Sequence, residues 1–112
     1  MESILTSIKK LLGIEEEYEY FDADLVMHIN SVFMILNQLG VGPSEGFSIQ
    51  DAESTWADFM PVGSKTEAVK SYMHLKVKLM FDPPSSAAVI ESMSNVIREL
   101  EWRLTVAAET TT

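Results

Sequence analysis

The 112-residue sequence contains no cysteine. That excludes disulfide staples, thiolate metal sites and cysteine nucleophiles together, and leaves the fold to stand on side-chain packing alone. Cations are scarce: eight Lys and Arg stand against seventeen Asp and Glu, for a formal net charge of -9. Tight nucleic-acid binding draws its affinity from phosphate neutralisation, so a chain this acidic is a poor candidate for it. No apolar run approaches the roughly 20 residues of a membrane-spanning helix. Met1 to Gly13 carries an apolar stripe, but Glu2, Lys9 and Lys10 interrupt it and no small-residue cleavage site follows. No secretory signal is therefore expected, and the default placement is cytoplasmic.

Reactive constellations are missing too. His28 and His74 are the only imidazoles, and neither has a second ligand type three or four residues on: Ser31 and Val32 follow the first, Val77 and Lys78 the second. A zinc site is not expected. Asp22-Ala23-Asp24 lacks the third carboxylate, the glycine and the closing glutamate of a calcium loop. The glycine-rich phosphate loops and the G-x-S-x-G elbow do not occur. The reading is therefore no catalytic residue, no metal, no cofactor and no enzyme.

What is present is helical periodicity, pointing to an all-α single domain of four to five helices. Ile4, Leu5, Ile8, Leu11 and Leu12 form a first stripe ended by Gly13, and the acidic Ile14–Phe21 segment reads as a linker. Residues 1–21 are thus an N-terminal helix and linker, 22–106 the bundle and 107–112 a frayed tail. Asp22 is the expected N-cap of a helix over Ala23–Leu39, whose core stripe is Leu25, Val26, Ile29, Val32, Phe33, Leu36 and Leu39. A breaker cluster from Gly40 to Gly46 turns the chain. Ser48 with Asp51 suggests a capping box for a short helix carrying Trp56 and Phe59, and Ser64 with Glu67 one for a central helix to Phe81. Asp82-Pro83-Pro84 stops that helix. Ser85 or Ser86 then caps a last helix from Ala87 to Leu104, striped by Val89, Met93, Val96, Ile97, Leu100 and Leu104. Met27, Met34, Met73, Met80 and Met93 are read as core filling. Trp102 lies off the final stripe, beside Arg103, as an interface residue would.

Charge is unevenly spread. Between Glu15 and Asp58 every ionised residue is acidic, whereas Lys65, Lys70, Lys76 and Lys78 face only Glu67, a layout suited to contact between like subunits.

Four stretches together resemble the head-to-tail connector, or adaptor, proteins of tailed bacteriophages: DADLVMHINSVFMILNQLGVGP, Thr55–Phe59, Ala68–Pro84 with its F-D-P-P stop, and the closing Ile97–Leu104 helix. The resemblance implies a non-catalytic virion protein of the neck, present in the host cytoplasm during assembly. It implies self-association into a dodecameric ring on the portal protein, contact with downstream neck and tail proteins, and passage of double-stranded DNA without specific binding. It would assign portal contact to Trp102, Arg103, Leu104 and Val106. Carboxylates lining a DNA passage would keep phosphate from sticking, and Asp51, Glu53 and Asp58 are the expected lining. The competing reading is a small acidic regulatory protein that binds a host or phage protein through one helix.

Overall fold

The computed structural model describes residues 2–110. Five helices follow one another: α1 (Ile4–Leu11), α2 (Asp22–Gln38), α3 (Trp56–Phe59), α4 (Ser64–Phe81) and α5 (Ala87–Thr110). No strand occurs among the described residues; the one bridge joins Ser3 to Thr55. The helices make a slab with extents of 40 × 35 × 20 Å, two helix layers thick.

α4 is the hub. It packs against α1, α2 and α5, as its nearly all-round apolar character predicts. Val69, Tyr72, Met73 and Val77 are fully buried. Phe81, its last residue, meets Phe21 and His28 at the start of α2, so α2 and α4 run antiparallel. The hydroxyl of Tyr72 donates to Glu101 at 2.6 Å, and Met80 lines the same groove as Ser94, which sets α5 antiparallel to α4.

α1 is an integral part of the core. Its side chains Ile4, Leu5 and Ile8 are at most 2 % exposed. The connection to α3 wraps under it: Ile4 N donates to Ser54 O at 3.0 Å and Trp56 N to Glu2 O at 3.2 Å. Trp56, 1 % exposed, donates its indole N–H to Ser7 Oγ at 2.8 Å, and Ser7 Oγ donates to Ile4 O. Phe33 adds an edge-on contact to Phe47 and tilted contacts to Trp56 and Phe59. Gly42 suits its place twice over: it lies in the left-handed region (φ 89°), and the Phe59 ring occupies the space a Cβ would need.

The sequence-level boundaries need several corrections. Asp22 does not cap α2: Phe21 stands at the N-cap without a side-chain bond, and the Asp22 carboxylate turns to Lys9 instead. α3 is four residues long and is capped by Thr55 with Asp58, not by Ser48 with Asp51. Ser64 is already helical. Thr66 closes the N-terminus of α4, its hydroxyl accepting from Gly63 N at 3.0 Å and donating to Pro61 O at 2.8 Å. Ser86 caps α5 as expected, accepting from Val89 N at 3.3 Å. α5 continues past Leu104 to Thr110, with Ala108 near Gly40; Thr111 and Thr112 lie outside the described residues. Of the five helical methionines only Met73 is fully buried, while Met27, Met34 and Met80 are exposed.

If α1 completes the core rather than decorating it, Ile8→Ala should destabilise the protein by roughly 2–5 kcal/mol in urea denaturation, the range for a truncated buried aliphatic side chain. A loss under about 0.5 kcal/mol would mean that α1 is an appendage.

Candidate assembly surfaces

The loop from Phe47 to Ser54 is held against α2 by one side chain. Asn30 Oδ1 accepts from Ile49 N at 2.8 Å and Asn30 Nδ2 donates to Ile49 O at 2.9 Å, the two bonds a neighbouring strand would supply. Beyond that anchor Asp51 Oδ1 accepts from Glu53 N at 2.9 Å, and Asp58 Oδ2 accepts from Thr55 N at 2.9 Å. These bonds aim Asp51, Glu53 and Asp58 at one open depression of about 390 Å³, shared with Ser48, Gln50 and Ser54. The three carboxylates expected from the charge run therefore stand together and exposed, and none has an ion-pair partner among the described residues.

A second surface is the outer face of α5. Trp102 is 62 % exposed and Val106 lies one turn further on, also exposed. Arg103 is held by Glu99 Oε1 at 2.9 Å. Leu104 points the other way and is buried, so it supports the helix from behind while Trp102, Arg103 and Val106 face outward. Val89 and Val96, read as stripe residues, are nearly half exposed because α5 packs chiefly on α4 and leaves that flank uncovered.

The third surface, the acidic linker, is fixed by a buried cation. Lys9, 2 % exposed, sends its ammonium to Glu16 O at 2.9 Å, Tyr18 O at 2.7 Å and within 2.8 Å of Asp22 Oδ1. The approach to Asp22 is close but bent, leaving Oδ1 without an aligned hydrogen bond. A lysine nearly always avoids full burial unless partnered, and three oxygens meet that need here. Lys9 was legible only as an interruption of an apolar stripe. No local signal marks its partners, which lie 7, 9 and 13 residues away.

Among the described residues no group of three His, Asp or Glu side chains could hold a metal. Burial, then the Glu101 carboxylate, push the Tyr72 hydroxyl well above its ordinary value, so it remains a donor. Burial, then nearby Lys78, hold the His74 pKa below 6.5, so the ring is neutral near pH 7.

A family model described as phage connector protein matches residues 4–111. No curated protein and no solved structure matches.

Two outcomes follow from these contacts. Lys9→Met should leave two carbonyls and Asp22 short of a partner, lowering stability by roughly 1–3 kcal/mol and exposing the linker to limited proteolysis. An unchanged cleavage pattern would remove Lys9 from this role. A folded-state imidazole pKa below the unfolded value contributes stability above about pH 6.5 that is lost as pH falls. His74→Gln should accordingly show a shallower loss of stability on acidification than the parent, measured by urea midpoints from pH 7 to pH 5; parallel curves would contradict the assignment.

Proposed function

We propose that this chain, which belongs to the phage connector protein family, forms a ring on the portal of a tailed phage and gives passage to double-stranded DNA in the virion neck. The match over residues 4–111 carries this reading, since it spans all five helices. Connector proteins are structural, which agrees with a chain whose polar side chains serve caps, turns and ion pairs.

The acidic depression supports a wall that DNA slides past. Fixed carboxylates repel phosphate and forgo the counterion release that drives sticking. Asp51, Glu53 and Asp58 take this lumen role in the proposal. The outer face of α5 supplies the portal contact through Trp102, Arg103 and Val106, because tryptophan and arginine are among the residues enriched at interface hot spots and Trp102 is exposed. Leu104 holds that face in register from inside. Assembly takes place in the host cytoplasm and the product resides in the neck.

Mixing the chain with purified portal rings should add a ring of density in negative-stain images. Trp102→Ala should weaken that attachment by at least about tenfold, as for a hot-spot aromatic. Neutralising the acidic trio as Asp51→Asn, Glu53→Gln and Asp58→Asn keeps the Asp58 cap geometry and should slow DNA ejection, most visibly at low salt. Unaltered ejection at every salt concentration removes the lumen assignment. Absence of the chain from purified particles, with a one-to-one complex on a host or phage protein instead, would favour the regulatory reading.

A further inference from the structure

We infer that subunits of the assembly join side by side by seating the Glu15–Tyr20 ridge of one copy in the groove between α4 and α5 of the next. The inference rests on the ring reading above and specifies its subunit contact.

The ridge is a preformed acidic and aromatic projection. Residues 15–20 are all exposed, with Tyr18 at 51 % and Tyr20 at 78 %. Glu15, Glu16, Glu17 and Glu19 make no ion pair among the described residues. Its backbone is nevertheless fixed by Lys9 at two carbonyls, and its rings pack on one another and on Phe21, with Tyr20 at 5.0 Å and Tyr18 at 5.7 Å. Large apolar rings held out in water on an ordered backbone lose little entropy on docking, which favours an interface.

The groove is its complement. About 280 Å³ in volume, it is lined by Lys76, Leu79, Met80, Ile97, Arg98 and Glu101. Among the described residues Lys76 and Arg98 have no carboxylate partner, and Arg98 donates to Asn95. The single acid there, Glu101, already accepts the Tyr72 hydroxyl. Met80 is 41 % exposed, and a thioether at the rim packs well on an aromatic edge while a guanidinium stacks on its face.

The placement of the two features makes the contact directional. Phe21 on Phe81 puts the ridge at the C-terminal end of α4, and the groove lies at that same end. Met80 and Lys76 are turned from Phe81 by about 100° and 140° around the helix, at 100° per residue. Ridge and groove thus occupy two flanks at one level along α4. A contact between different patches of identical subunits is heterologous, and it closes into a ring when the rotation per step allows.

The absence of native cysteine makes the test clean. Tyr20→Cys with Ser94→Cys in one full-length chain should give a ladder of disulfide-linked oligomers on mild oxidation of purified particles and of concentrated protein. A mixture of the two single variants should give dimers joined only between positions 20 and 94, read by peptide mass spectrometry. Reversing the groove with Lys76→Glu and Arg98→Glu should weaken self-association by at least about tenfold, and adding Glu16→Lys and Glu17→Lys should restore it. Particles that contain the chain but show no linkage between positions 20 and 94 overturn this contact and leave the ring standing. Linkage of position 20 to a different neck protein overturns it in favour of that partner. Particles without the chain overturn both readings.

Discussion

Trp56 lies beneath α1 with its indole N–H on Ser7 and its ring against Phe33, and the elements around it are arranged to keep it there. A chain of this size buries a limited fraction of its surface, so a single large side chain carries an unusual share of the apolar contact. α1, which buries its own apolar stripe in the same core, covers it, and the short Ser3–Thr55 bridge clamps the wrap in place. Lys70 Nζ lies over the Trp56 ring, 5.9 Å from its centroid, and pairs with Glu2 in the segment before α1. α3 is four residues long because its task is to present Trp56 and Phe59 inward and then release the chain at Pro61.

The same economy explains which charges remain at the surface. Lys9, Lys70, Lys78 and Arg103 are matched within the chain, by Asp22, by Glu2 and Glu67, by Asp82 and by Glu99. Most of these pairs are solvent-exposed and individually weak. Only Lys9 is buried, and there the ammonium acts as a geometric organiser of the linker rather than as a source of net stability. The acids around Asp51 and along the linker have no such employment, and that surplus gives the surface its character.

Much of this was legible in the sequence, and the parts that were not share a cause. The stripes of α1 and α2, the Pro83-Pro84 stop and the centrality of α4 follow from periodicity, which reports the face a helix must bury. Capping signals report only local options. Ser48 with Asp51 and Thr55 with Asp58 both fit a capping pattern for α3, and the insertion of Trp56 favours the second; at α4 Thr66 takes the place that Ser64 with Glu67 suggested. Asp22 looked like a cap because nothing in its neighbourhood reveals Lys9. The α5 stripe named six residues, of which Ile97 and Leu104 alone are fully buried, because a stripe cannot say how many neighbours will cover it. The acidic trio was readable as a charge run; that it shares one depression depends on Asn30 holding Ile49, a contact 19 residues away in sequence. Leu104 entered the candidate portal surface by adjacency to Trp102, although successive helical positions point about 100° apart.

The acidity of the surface opposes close contact between copies. Copies each carrying a formal charge of -9 repel when brought together. At physiological ionic strength that repulsion is screened beyond about 8 Å, so it acts mainly on the surfaces in contact. An interface can form only where the local sign is reversed, and two of the unpaired cations, Lys76 and Arg98, stand together beside the α4/α5 groove. Elsewhere like charges meet, so the association should be weak for free copies and become favourable when a template holds them at fixed spacing and raises their effective concentration. Weak association of free copies follows from that balance: global repulsion against one locally complementary contact.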